Sequence, residues 1–488
     1  MSFILAIDVG TSSVRAALYD HAGNPIPHAF AKHERMLTVT DDGGAEIDAD
    51  EALRQIVAAV DDVLKKASKI KGEITHVASS SFWHSLVGVD VKAKPTTKVL
   101  GWADTRSREQ VAVLRRRFNE GEVHNRTGAR FHSSFWPAKL LWLKKTDPKA
   151  FGRTVKWLSL SDYVALSLSG EPVTSISMAS ATGMFDIRRC RWDAPLSNYV
   201  GVKLANLPGI AEDRVSFSVN AAFAKRWPRL KDARWLPAIG DGAANNIGAG
   251  CVSRNKAALM VGTSGAMRVA YKGEPPSTIP EGLWCYRIDR ERVIMGGALS
   301  DGGGLYQWLK DNLQLFADDN RTENEIAKRA PAAHGLTFLP FLAGERSTGY
   351  HENASGAIIG LTSSTDTIDI VQAALESVAY RFGEIFDQLN SVVKVRDVIA
   401  SGGALRQSPV WTQMIADVLA RDLTLPDTHE ASSRGAVLLL LETIDKIKTI
   451  ERIPTPEGRL FRTAKKRHTV YKHARREHEK FYQKTIKI

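Results

Sequence analysis

Cysteine is nearly missing from this chain: its 488 residues carry three, Cys190, Cys251 and Cys285, far apart and with no CxxC pair or histidine cluster beside them. That spacing argues against a disulfide framework and a thiolate metal site, and predicts buried thiols in a reducing compartment. Long apolar runs are missing too. No uninterrupted stretch approaches the ~20 residues that span a bilayer. The first apolar run opens at Phe3 and leaves no room for a secretory leader, so a soluble cytoplasmic protein with no membrane partner is expected. Acidic residues fall short of Lys and Arg, for a formal charge of +12, but the shortage is local. Residues 448–488 hold thirteen Lys/Arg against four Asp/Glu, which is +9 of the +12. In that tail Val470, Ala474, His478 and Phe481 recur at helical spacing with Tyr471 and Tyr482 beside them. The pattern predicts an amphipathic helix docked on the body, with no nucleic-acid partner.

What is present is a chain too long for one ordinary core; at ~100 to 200 residues per domain, two or more are expected. Its first stretch, Phe3 to Tyr19, reads as a strand, a turn of small polar residues and a second strand. The turn of this hairpin gathers Asp8, Gly10, Thr11, Ser12, Ser13 and Arg15. Glycine admits close approach of backbone N–H groups, hydroxyls donate to phosphate oxygens, and a carboxylate can hold Mg²⁺ through its waters. An ordinary hairpin with a polar turn would look the same, but the chain repeats it. Val9-Gly10-Thr11-Ser12-Ser13-Val14-Arg15 is echoed by Val261-Gly262-Thr263-Ser264-Gly265-Ala266-Met267-Arg268, again between apolar runs. Two such turns offered to one nucleotide resemble the arrangement of the actin, Hsp70 and hexokinase superfamily. The resemblance implies an α/β protein of two ribonuclease H-like domains around a nucleotide cleft.

Between and beyond the repeats lie further signals. Helical periodicity predicts a helix over 51–66, and a strand over 75–81 delivers the loop Ser79-Ser80-Ser81-Phe82-Trp83-His84-Ser85, suited to a polyol or sugar. In Gly101-Trp102-Ala103-Asp104-Thr105-Arg106, the acid and the base two residues apart can face one side of a strand end or simply pair with each other. A polar and aromatic loop around Arg130, His132 and Trp136 precedes a helix at Lys139-Leu140-Leu141-Trp142-Leu143. Asp241, between Gly240 and Gly242 just ahead of the second turn, fits a helix cap or a general base for a hydroxyl. A long helix is expected over 364–386 and a strand–glycine–helix unit over 399–419, whose Gly402-Gly403 turn can lie against an adenosine.

These residues are similar to the FGGY family of carbohydrate kinases. Gly356-Ala357-Ile358-Ile359-Gly360-Leu361, a seven-residue gap and Asp369-Ile370-Val371-Gln372-Ala373-Ala374-Leu375-Glu376 fit its C-terminal signature. The N-terminal signature fits in part, through Lys139 to Leu143, with Trp136 where a small residue or proline is usual. Within the family the wording resembles the gluconate kinases in Trp83-His84-Ser85-Leu86, Trp102 to Arg106, Ser180 to Phe185, Gly262 to Arg268 and Leu342-Ala343-Gly344-Glu345-Arg346.

The resemblance implies roles. Asp241 matches the catalytic base. Thr11, Ser12, Ser13, Arg15, Gly262 and Thr263 match phosphate contacts, and Gly303, Gln307, Gly403 and Gln407 match the rest of the nucleotide site. Asp8, with Asp241 through water, matches the Mg²⁺ position. His84, with Trp83, Asp104, Arg106 and His132, matches the sugar site. The expected reaction is ATP with D-gluconate giving 6-phospho-D-gluconate; a pentulose or polyol kinase is the alternative, and a silent sugar-binding regulator the rival of another class. A substrate carboxylate would call on His84, His132, Arg106 or Arg130. Expected boundaries are 1–250 (sugar site, first turn and Asp241), 251–447 (second turn and adenosine site) and 448–488 (basic helical tail), with a homodimer considered and hinge closure on binding expected.

Overall fold

The computed structural model describes residues 2–316, 318–427 and 430–486. Two mixed sheets built on one plan form its frame. In the first, β1 (Ser2–Val9), β2 (Ser13–Tyr19) and β3 (Pro25–Glu34) form an antiparallel meander, and β4 (Glu73–Ser81) lies parallel to β1 on the other side. β5 (Arg234–Trp235) and β6 (Ile239–Gly240) continue it in parallel beyond β4. Covered on both faces, β1 is apolar nearly throughout, as a central strand should be.

The second sheet repeats the order. β7 (Lys256–Val261) pairs antiparallel with β8 (Gly265–Lys272), which carries β9 (Trp284–Arg287) and β10 (Arg292–Leu299) on its outer side. On the other side β11 (Asp397–Ser401) and β12 (Leu423–Pro426) run parallel. The internal repeat is thus two equivalent hairpins. Each closes on a glycine N–H: Gly10 donates to the Ser13 carbonyl and Gly262 to that of Ser264, both at 2.9 Å.

Helices cover the sheets. α1 (Ala49–Lys66) starts at an Asp48 cap and packs against β2 and β3, close to its expected span. α2 (Trp136–Thr146) follows the aromatic loop, and α3 (Asp241–Gly248) follows β6 directly. In the second half come α4 (Gly303–Asn312), α5 (Thr367–Val392), α6 (Gly403–Gln407), α7 (Pro409–Leu419), α8 (Ala431–Thr443) and α9 (Lys465–Thr485). α5 begins three residues later than expected because Asp366 and Asp369 form a capping box, and runs on six residues to Val392.

Two elements pack across the expected boundaries. α8, assigned by sequence order to the second domain, packs on α3 and on β1 and β4 of the first sheet. Its backbone meets that of α3 at Gly435, where a Cβ would fall 1.8 Å from the Ala244 carbonyl oxygen. The basic tail is not a separate unit either: Gly458–Phe461, β13, pairs antiparallel with β12 as the edge of the second sheet. α9 does dock, but on Tyr471, His478 and Tyr482, while Val470 remains 43% exposed. The tyrosines win this face because their rings bury more area than Val and their hydroxyls find partners.

Candidate active site

The carboxyl ends of β1, β4 and β6 lie side by side, with Asp8 paired to Ser80 and Gly240 to Ser81 in the strand register. Ligands of open α/β sheets bind at such ends. Asp8 is buried; its Oδ1 accepts from Ser80 Oγ at 2.6 Å and its Oδ2 from Arg15 Nη1 at 3.2 Å. Burial pushes its carboxyl upward against these two bonds. Arg15 also faces the Glu430 carboxylate at 3.4 Å, so it is held between two acids. Thr11 takes a hydrogen bond from Trp102 Nε1 at 3.3 Å, Ser12 is exposed, and Ser13 is buried at the start of β2.

Asp241 is not a cap. Gly240 holds the cap position and Asp241 is the first helical residue of α3, its Oδ1 accepting the Gly242 N–H at 2.7 Å. β6 ends flush with the sheet, which turns the carboxylate outward at the strand end instead of back onto the third helical N–H. Burial pushes its pKa up to about 6; Arg268 opposes that push and the Asp8 charge adds to it. Trp83 is the wall beneath: a Cβ on Gly240 or Gly242 would strike its indole, whose Nε1 donates to the Ser177 carbonyl at 3.2 Å. Trp83 lies edge-on to Tyr286 with 5.3 Å between ring centroids, which makes it a packing residue beneath the start of α3.

The six residues expected at the nucleotide converge. Gly262, Thr263, Gly303, Gln307, Gly403 and Gln407 all line one cavity of about 650 Å³ between α4, α6 and the second turn. The glycines at the start of α4 let two backbones touch: Gly303 N donates to the Gly262 carbonyl at 2.7 Å, where a Cβ would clash. Gly402 has φ +103° and lies against the Val261 carbonyl, whereas a Cβ at Gly403 would meet open space.

The sugar loops are more tightly committed. His84 sits in left-handed backbone, φ 67°, and its Nδ1 donates to the Ala181 carbonyl at 2.6 Å. Burial holds its pKa well below the usual value, so the ring is neutral with Nε2 as an acceptor. His132 is oriented the other way. Its Nδ1 accepts the Ser134 N–H at 3.1 Å, and its Nε2 stands 3.7 Å from Glu352. Asp104 and Arg106 pair with each other at 2.6 Å, and Arg106 also bonds Glu46 at 2.8 Å. Arg130 bonds Glu120 at 3.0 Å.

Residues 3–227 and 257–441 match, in order, the N-terminal and C-terminal domains of one family of sugar-phosphorylating enzymes. The chain belongs to the FGGY family of carbohydrate kinases. It is 27% identical to a gluconokinase of Bacillus subtilis (strain 168) over 94% of this chain and 91% of that protein. It is 25% identical to a xylulose kinase of Lactococcus lactis over 90% of this chain and 87% of the relative. Among solved structures it is similar to the gluconate kinase of Lactobacillus acidophilus, with a TM-score of 0.89 at 25% identity, covering 99% of this chain and 98% of that one. This FGGY kinase is an ATP-dependent sugar kinase with the two-domain actin- and hexokinase-like fold.

Three residues around the FGGY site carry no role in the sequence reading. Lys139, quoted there only as a signature residue, is buried, and its Nζ donates to the carbonyls of His84 at 2.9 Å and Gly101 at 2.7 Å, tying the two sugar loops together. Arg268, inside the repeated turn, donates to the Gly242 carbonyl at 3.1 Å beside Asp241. Arg346, in the Leu342 to Arg346 segment, lies with its guanidinium 5.3 Å from the Trp102 ring. Their signal was a charged residue inside an apolar run, as at Lys139, or closing a glycine-containing one, as at Arg268 and Arg346.

Proposed function

We propose that this kinase transfers the γ-phosphoryl group of ATP to a sugar acid, converting D-gluconate to 6-phospho-D-gluconate. The observation that carries the phosphoryl-transfer part of the reading is Asp241: a half-buried carboxylate whose desolvation pushes its pKa up to about 6, at a helix start between the two glycine turns. Such a group is ionised at neutral pH yet basic enough to take a proton from an attacking hydroxyl. Arg268 holds the helix start in place and keeps the carboxylate charge balanced.

The rest of the chain positions the reactants. Backbone N–H groups and hydroxyls of Thr11, Ser12 and Thr263 would bind phosphate oxygens, and the cavity lined by Gly303, Gln307, Gly403 and Gln407 would take the nucleoside. His84 Nε2 would accept a substrate hydroxyl. Among the described residues no group of three or more His, Cys, Asp or Glu could hold a metal. Two carboxylates, Asp8 and Asp241, fit Mg²⁺, which usually takes one or two carboxylates, waters and the substrate's phosphates. Mg²⁺ when bound would neutralise charge on the transferring group.

The gluconokinase relatives support gluconate. A pentulose kinase is the second reading, favoured by the likeness to the ligand-bound xylulose kinase of Lactobacillus acidophilus at a TM-score of 0.90. Coupled ADP detection over aldonates, ketoses and glycerol separates them: gluconate should have the highest kcat/KM, and a preference for xylulose would overturn the assignment.

A further inference from the structure

A sugar acid differs from a neutral sugar of the same length by one carboxylate, and a buried carboxylate requires charged donors. The four groups that a sequence reading offers for it are taken. Arg106 is bonded to Asp104 and Glu46, and Arg130 to Glu120 and the Glu281 carbonyl. His84 is neutral and presents an acceptor, which repels a carboxylate. His132 turns Nε2 toward Glu352. Lys139 spends its ammonium on backbone carbonyls.

Arg346 is different. Its guanidinium has no hydrogen-bond or ion-pair partner among the described residues, and it lies over the Trp102 ring, whose Nε1 reaches Thr11 of the first phosphate turn. Both neighbours along the chain are anchored, Ser347 by donating its N–H to the Ala298 carbonyl at 3.0 Å. Glu345 is bonded to Arg381, to the Gly349 N–H at 3.0 Å and to the Tyr482 hydroxyl at 2.7 Å. The Arg346 carbonyl accepts the Tyr350 N–H at 2.8 Å, and the Tyr350 ring lies 5.9 Å from that of His132. A rigid strap therefore holds a planar five-donor cation at the sugar loops. Burial lowers the pKa of both His84 and His132, and the Arg346 charge adds to that lowering in each, which sets it among the sugar-loop residues.

We propose that Arg346 binds the carboxylate of the sugar acid as a bidentate clamp and sets the preference of this kinase for aldonates over neutral sugars. The proposal rests on the sugar-acid reading above.

The test compares wild type, Arg346→Met and Arg346→Lys on gluconate and on glucitol, its neutral counterpart, used as substrate or as competitive inhibitor. Loss of a charge-assisted pair predicts a gluconate KM roughly 10- to 100-fold higher in Arg346→Met. Its kcat should stay within about threefold, glucitol kinetics should be nearly unchanged, and Arg346→Lys should fall between. Thermal unfolding confirms that each variant is folded, and the lysine variant carries the comparison if the methionine variant is not. Equal losses on both compounds, or a lower kcat at unchanged gluconate KM, would overturn the clamp while leaving the sugar-acid reading intact. A wild type that phosphorylates neutral sugars and no aldonate would overturn both, and that failure is visible before any variant is made.

Discussion

Replacing Asp241 by Asn changes one atom of the proposed base and little else. The amide oxygen can still accept the Gly242 N–H that Asp241 Oδ1 takes at 2.7 Å, so α3 should keep its start. What is lost is proton acceptance. A positioned general base contributes typically 10²- to 10⁴-fold, so kcat should fall by that factor, about 3 to 5.5 kcal/mol in barrier height. The ATP KM should stay within about threefold, since Asp241 does not line the cavity proposed for the nucleoside. The pH profile gives an independent check. With a pKa of about 6, the carboxylate of the wild type is ionised at pH 7.5, and kcat/KM should fall about tenfold per unit below pH 6. Stability should move the other way. The folded carboxyl titrates near 6 and the unfolded one near 3.9, so between those values the native state holds a proton that the unfolded chain lacks. Stability therefore declines as pH rises from about 4 to 6, and the loss persists above. Asp241→Asn removes this loss and should gain about 1 to 3 kcal/mol at pH 7.5, read by urea unfolding. Steady-state kinetics from pH 5 to 9 with coupled ADP detection supply the rest. A variant keeping more than a tenth of wild-type kcat, or a wild type with no acid limb near pH 6, would refute the base assignment.

Other outcomes follow from the same geometry. Lys139→Met strands the carbonyls of His84 and Gly101 and should cost roughly 2 to 4 kcal/mol in urea unfolding, with the sugar KM rising as the His84 loop loosens. Tyr482→Phe removes a 2.7 Å bond to the Glu345 carboxylate and should destabilise the fold by about 1.5 to 3 kcal/mol, measured in the same way. Two adjacent glycines should differ: Gly402→Ala, with a Cβ 2.1 Å from the Val261 carbonyl oxygen at positive φ, should lose at least about 2 kcal/mol of stability. Gly403→Val faces open space in the cavity proposed for the nucleoside and should instead raise the ATP KM about tenfold with little change in unfolding.

Local signals in the sequence carried far because the site is built from local units. Each turn proposed for phosphate is a hairpin tip, and each further glycine proposed for the nucleotide stands where a strand passes into a helix, so apolar runs and glycine punctuation marked these positions in the chain. Asp241 stood out by the same signals, but it is not a cap, because β6 runs directly into α3. What stayed hidden depends on partners far along the chain. Arg106 looks available until Glu46, sixty residues earlier, is seen to bond it. Arg346 looks like one more arginine until its neighbours prove to be committed elsewhere. α8 reads as part of the second domain, yet its small residues meet α3 across the molecule. The tail helix was legible as a helix, but Tyr471 and Tyr482 outranked Val470 and Phe481 on the buried face.

The claim that this FGGY kinase makes a sugar-acid phosphate is tested most directly by competition in one tube: limiting ATP with equal gluconate, xylulose and glycerol, resolved by ³¹P NMR. The account predicts that the phosphomonoester signal is that of 6-phosphogluconate. Phosphate appearing chiefly on xylulose or glycerol would contradict it.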